Sequence, residues 1–177
     1  MSTHNTLISL NEETLELSAD LATEWGWKDD VTFEMKLRDD VTFHDGSKFT
    51  ADDVVYTFNR MIAEKASNVS TLASVEAVDE YTVRMTMNSP NMDWEMILSD
   101  TQSSILSEEA CEADPEEGFA IGSGAWKVED WTQGDYVDGD EQSFTLEKNM
   151  LRNTAVAISH KVYLEKFFAI IGNKMNA

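Results

Sequence analysis

Residues 43–60 read FHDGSKFTADDVVYTFNR, and the order of residue types dictates a turn, a helix start and an amphipathic helix. His44-Asp45-Gly46 is a tight polar step in which glycine supplies the positive φ that such turns need. Thr50 opens the helix: its hydroxyl lies in reach of the Asp53 amide and the Asp53 carboxylate reaches back, an Asp version of the capping box. Asp52 and Asp53 also occupy the first turn, where the helix dipole favours negative charge. Val54, Val55, Phe58, Met61 and Ile62 recur at i, i+1, i+4, i+7 and i+8, which turns one face inward. The stretch therefore reads as scaffold, and His44 as a turn residue beside Asp45 and not as a general base.

The flanking sequence extends this scaffold. From Val31 to Leu37 apolar and polar residues alternate strictly, with Val31, Phe33, Met35 and Leu37 on one face, which predicts a half-buried strand. Val41 to Phe43 is a short apolar step into the turn. Val75–Val78 and Tyr81–Met87 read as two strands joined by Asp79-Glu80, with Tyr81, Val83, Met85 and Met87 facing one way. Pro90 breaks that pattern, and Asp93 is expected to cap a short helix through Leu98. Residues 107–118 (SEEACEADPEEG) form an acidic helix-and-loop region. Strands are expected at Trp126–Trp131 and Ser143–Glu147. The tail KVYLEKFFAIIG is apolar enough to be buried, but periodicity does not choose strand or helix for it. These elements add up to an α+β chain, a twisted, mostly antiparallel sheet with short flanking helices.

Composition narrows the function classes. A chain of 177 residues with 42% hydrophobic content and five Trp is long enough for one ordinary core. Its net charge of -21 argues against a nucleic-acid groove, which needs clustered Lys and Arg, and against a surface that clings to anionic lipid. The same charge gives a solvated, self-repelling surface. The single cysteine, Cys111, rules out an internal disulfide framework and any Cys-cluster zinc site. The sequence as given has no run of ~18 apolar residues and no basic start followed by an apolar stretch, so neither a membrane anchor nor a signal peptide is expected in it.

No catalytic constellation emerges. The histidines are His4, His44 and His160, and the G-x-S-x-G, H-E-x-x-H and Walker patterns are all missing. Cys111 lies among glutamates, which raise a thiol pKa instead of activating it. Ile121–Gly124 (IGSG) lacks the following Lys and Ser/Thr of a phosphate cradle. Asp135–Glu141 (DYVDGDE) invites a calcium reading, but its spacing departs from the D-x-[DN]-x-[DN]-G loop, so a solvated hairpin tip is the simpler reading. No cofactor and no metal is expected.

In order along the chain stand LSADLATEW, TFEMKLRDDVTFHDGSKFTADDVVYTFNR, VEAVDEYTVRMTM, IGSGAWKVEDW and FTLEKN. Together they resemble extracellular solute-binding protein family 5, the peptide- and nickel-type receptors of ABC importers. The resemblance is densest where a strand ending in Leu37-Arg38 leads into Val41-Thr42-Phe43-His44-Asp45-Gly46 and then Phe49-Thr50-Ala51-Asp52-Asp53-Val54. It covers roughly Leu7 to Asn149. It implies part of lobe I of a type 2 periplasmic-binding-protein fold, divided here into residues 1–30 of the main lobe I subdomain, residues 31–149 as its smaller subdomain, and residues 150–177 as a return segment towards a second lobe. Family members are considerably longer, so the chain is expected to be a first-lobe fragment. Met150-Leu151-Arg152 departs from the aromatic pair usual after Asn149, which leaves the alignment of the last thirty residues open.

The resemblance implies capture of a peptide or similar small solute outside the cytoplasm, delivery to an ABC permease in the membrane, and no chemistry. It also implies two loops that approach the cleft. Asp100 and Gln102 in the first would offer polar contacts. In the second, Gly122, Ser123 and Gly124 would allow close backbone approach and Trp126 an apolar surface. Two other readings stay open at this stage: a self-associating acidic module using the apolar tail Phe167–Ile171, and a calcium-stabilised surface domain built on the acidic run.

Overall fold

A computed structural model describes residues 3–11, 13–115, 117–128 and 146–148, the last three without their side chains, as is Val128. The acidic run 135–141, the strand residues 129–131 and 143–145, His160 and the tail 150–177 lie outside the described residues.

The alternating stretches form one antiparallel four-stranded sheet. Its members are β3 (Ala22–Trp27), β4 (Thr32–Leu37), β5 (Leu72–Asp79) and β6 (Thr82–Met87), in the order β3-β4-β6-β5. The register sets Phe33 opposite Met85 and Met35 opposite Val83, with Val75 beside Met85 on the other flank. Every one of these apolar side chains is buried. Because side chains alternate across a strand, Glu34 and Arg84 fall on the other face. There Glu34 meets Lys28 at 2.9 Å and Arg84 at 3.1 Å, and Arg84 also reaches Glu76 at 3.1 Å. The expected boundary at residue 30 falls in the turn between β3 and β4, two strands that pair within this sheet. Two smaller antiparallel pairs complete the strands: β1 (Ile8–Leu10) with β2 (Leu17–Ala19), and β7 (Trp126–Val128) with β8 (Leu146–Lys148).

Helix α1 (Ala51–Ala63) begins at the Thr50 capping box and packs against β5 and β6. The Asp53 carboxylate accepts the Thr50 amide at 2.8 Å. Gly46 has φ +93, as its turn requires. The inward face differs from the apolar stripe in one respect. Asp53 and Thr57 are buried beside Val54 and Phe58, whereas Val55, Met61 and Ile62 are only partly covered. Periodicity registers apolar residues alone, so it passes over polar side chains that the core satisfies internally.

Two further departures concern neighbouring elements. β5 starts at Leu72, three residues before the expected Val75, because Leu72 is itself a core residue paired opposite Met87. Helix α2 (Trp94–Ser99) follows Asp93 as expected, but no side-chain bond from Asp93 caps it. The Asn91 side chain instead accepts the Asp93 amide at 3.0 Å, fixing the turn one step earlier. Trp94 is fully buried, with its ring centroid 6.2 Å from that of Phe58, which joins α2 to the α1 face of the core. Helix α3 (Glu108–Ala113) starts at Ser107, whose hydroxyl accepts the Ala110 amide at 3.2 Å. Cys111 is buried in α3, and burial pushes its thiol pKa up, the direction expected of an inert, structural thiol.

Candidate functional site

The two polar residues on the inner face of α1 position a loop more than forty residues away. The Thr57 hydroxyl donates to the Asp53 carbonyl at 2.8 Å and accepts the Leu106 amide at 3.1 Å. The second oxygen of the Asp53 carboxylate accepts the Glu108 amide at 2.9 Å. One buried carboxylate thus holds the start of α1 and the start of α3 together. Burial pushes the Asp53 pKa up, against the pull of the Glu108 and Thr50 amides. On its other side the segment is held by the N-terminal strand region, where the Ile105 amide donates to the Asn5 carbonyl at 3.0 Å. Asn5 is oriented in turn by Asp20, to which its side-chain amide donates at 2.9 Å.

These anchors fix the 3-10 turn Thr101–Ser103 at the rim of a groove of about 400 Å³. Gln102 and Ser104 line it from the turn, Arg60 and Glu64 from the end of α1, and His4 and Phe119, whose backbone bonds the His4 ring, complete the lining. The Arg60 guanidinium sits 4.3 Å from the centre of the Phe119 ring, and its Nε donates to Glu64 at 2.8 Å. Arg60 is therefore stacked and charge-balanced, held in place without a buried net charge. The wall offers amide, hydroxyl and guanidinium donors around an apolar floor, a mixture suited to orienting a small polar solute. No set of three His, Cys, Asp or Glu side chains among the described residues is arranged to hold a metal ion.

The sequence-derived candidates divide. Gln102 lies on the groove. Asp100, its neighbour, accepts the Gln102 amide at 2.8 Å and so serves the turn itself. The glycine loop lies behind the groove wall. A Cβ on Gly122 would stand 1.9 Å from the Thr3 carbonyl oxygen and 3.0 Å from the His4 ring, so the close backbone approach is to the protein's own N-terminal segment. The Gly124 amide donates to the Thr3 carbonyl at 2.9 Å, and the Ser123 hydroxyl donates to the Asn5 side chain at 3.2 Å. Trp126 is half-buried in β7 and is not among the groove residues. Sequence reading missed Arg60, Phe119, Ser104 and His4. Arg60 carried the one available signal, a cation in a chain with 13 basic and 34 acidic residues, but a base in a helix's last turn reads first as a dipole partner.

His44 is more than a turn residue. It is buried, and both ring nitrogens are engaged: Nδ1 accepts the Gly122 amide at 3.3 Å and Nε2 lies 2.8 Å from the Gly124 carbonyl. Since a backbone N–H only donates and a carbonyl only accepts, the ring is the neutral tautomer with its proton on Nε2. The His44 amide also donates to the Gly122 carbonyl at 2.9 Å.

With this geometry described, comparison with known proteins is informative. A family profile for bacterial extracellular solute-binding proteins, family 5 Middle, matches residues 16–147. The glutathione-binding protein GsiB of Escherichia coli K12 is 30% identical over 140 residues, covering 74% of this chain and 27% of that protein. The oligopeptide-binding protein AppA of Bacillus subtilis is 31% identical over 147 residues, covering 75% and 25%. Among solved structures, NikZ from Campylobacter jejuni in complex with Ni(L-His) superimposes with TM-score 0.66 at 29% identity, over 75% of this chain and 28% of that one. AppA in complex with a nonapeptide superimposes with TM-score 0.65 at 28% identity, over 74% and 29%. The chain thus has the fold of part of one lobe of a type 2 periplasmic-binding protein, and spans about a quarter of the length of the curated relatives it matches.

Proposed function

The chain belongs to the bacterial extracellular solute-binding proteins of family 5, and from that premise we propose that its groove is one wall of a solute site serving an ABC importer. The solute is a short peptide or a similar small, amino-acid-bearing molecule, captured outside the cytoplasm and passed to a permease. Relatives are named for glutathione and oligopeptides, and one structural neighbour holds Ni(L-His). The carboxylate and amide carbonyl groups common to such solutes match the donors of Gln102 and Arg60, and the Ser104 hydroxyl oxygen, whose proton goes to the Thr101 carbonyl, is left to accept from an amine or amide N–H.

The observation that carries this reading is the groove itself, an apolar floor ringed by fixed polar groups and held by the Asp53 and Thr57 anchors. The mechanism is capture between two walls, with closure driven by contacts that only the closed state makes. No bond is made or broken. The polar side chains on the groove serve as donors and stacking partners, and burial pushes the pKa of His4 down. Gly122, Ser123 and Gly124 contribute by seating the N-terminal segment that brings His4 to the groove, while Asp100 shapes the Gln102 turn.

Amide shift mapping tests this. Titration with glutathione, a tripeptide and Ni(L-His) should shift resonances of Gln102, Ser104, Arg60 and Phe119 with at least one of them. Perturbations confined to the charged face of the four-stranded sheet would reject the assignment.

A further inference from the structure

Gly122 is enclosed by three groups from distant parts of the chain: the Thr3 carbonyl, the His4 ring and the His44 ring. Gly122 has no side chain of its own to pack; Ile121 against the core and Ser123 bonded to Asn5 flank it, and the bonds to His44 and Thr3 fix the backbone of the two glycines. His44 makes two bonds to the glycine loop through its ring: Nε2–H donates to the Gly124 carbonyl in either protonation state, whereas Nδ1 accepts the Gly122 amide only when the ring is neutral. As a neutral ring it accepts at Nδ1 and donates at Nε2. As an imidazolium it donates at both, and Nδ1–H would then face the Gly122 N–H, donor against donor. We propose that His44 is a pH-operated latch that fastens the glycine loop and the N-terminal segment to the back of the groove near neutral pH and releases them in acid.

The charges around the ring favour release at a defined step. Burial opposes a charge on His44 most strongly, and Lys127 in β7 adds to it, while the bond to the Gly124 carbonyl and Asp45 in its own turn favour one; His4 and His44 oppose a charge on each other. The Asp45 carboxylate is already engaged, accepting the Ser47 amide at 2.9 Å and its hydroxyl at 2.7 Å. Burial prevails for both rings, so in the fastened state both titrate below the ordinary 6.5. In the released state His44 regains its ordinary value. Between those two values each unit fall in pH multiplies the open population about tenfold. His4 lines the groove and follows Thr3, so release would loosen the wall that faces solute. That last consequence rests on the groove being the solute site, whereas the latch does not.

The test uses the whole chain without any solute, so its failure is distinct from failure of the groove assignment. Long-range 15N–1H spectra of the histidines report the tautomer, and amide exchange reports the Gly122 bond. The expected result is the Nε2–H tautomer for His44 at pH 7.5. Protection of the Gly122 amide, corrected for intrinsic exchange, should fall between pH 7.5 and pH 5.5, by up to about tenfold. His44→Asn retains a neutral acceptor for Gly122 and should remove most of the pH dependence, leaving only the share carried by His4, while His4→Asn should retain most of it. An Nδ1–H tautomer, flat protection down to pH 4.5, or a dependence as steep in His44→Asn as in the native chain would overturn the latch. Should His44→Asn not fold, the tautomer and the wild-type exchange profile decide the question by themselves.

Discussion

Replacing Asp53 with asparagine isolates the contribution of the buried carboxylate, because the change keeps the shape and removes one acceptor. In the native chain one oxygen accepts the Thr50 amide at 2.8 Å and the other the Glu108 amide at 2.9 Å. An asparagine has a single acceptor oxygen, so whichever amide it serves, its NH2 faces the other. The site is buried, and water does not replace the lost partner. A charge-assisted bond is lost and a buried donor orphaned, together about 2–4 kcal/mol. Against this, burial holds the ionised carboxylate at a cost that neutral asparagine avoids. The net destabilisation is about 1–3 kcal/mol. Urea unfolding should show it as a midpoint shift on the order of 1 M with an unchanged slope. Asp53→Ala, which abandons both amides, should be worse. If both variants unfold within about 0.5 kcal/mol of the native chain, the carboxylate does not join α1 to α3 and the account of how the groove loop is held fails.

Other outcomes follow from the same structure. Gly122→Ala places a methyl 1.9 Å from the Thr3 carbonyl oxygen and must detach the N-terminal segment, at about 2–4 kcal/mol for the bonds given up; Gly26→Ala, with nothing within 4 Å, should be near neutral, and equal effects by thermal melting would contradict the packing described. His4 and His44 both titrate below 6.5 in the fold, so the unfolded chain binds protons that the folded chain does not. Their stability contribution is complete above pH 6.5 and is lost as pH falls through the folded values; in 1 M salt the urea midpoint should drop from pH 7.5 to pH 5.5, and less so in His44→Asn. With a net charge of -21, screening matters: the Debye length shortens from ~30 Å at 0.01 M to ~3 Å at 1 M salt. The melting temperature should therefore rise over that range, and a flat profile would show that self-repulsion is unimportant.

What the sequence disclosed and what it withheld have a common physical origin. The strands of the four-stranded sheet were legible because one buried face imposes a strict alternation, as at Phe33, Met35 and Leu37. Helix α1 was legible from its cap and stripe. Both are local patterns. The groove depends on pairings across the chain, such as Thr57 with Leu106 or His44 with Gly122, and nothing in the neighbourhood of either residue announces its partner. The glycines at 122 and 124 did signal a close backbone approach, but not to what. Gln102 was found through the family resemblance; Arg60 and Phe119 were hidden because stacking between a helix end and an acidic loop has no periodicity.

Calorimetric titration of the chain with glutathione, a tripeptide and Ni(L-His) tests the central proposal most directly. A single wall forgoes much of the enclosure that gives a small-molecule site its affinity, so the predicted result is weak association, in the millimolar range and weakened further in Gln102→Ala. Micromolar or tighter binding that survives Gln102→Ala and Arg60→Ala would contradict it, since the grip would then lie elsewhere and need no second wall.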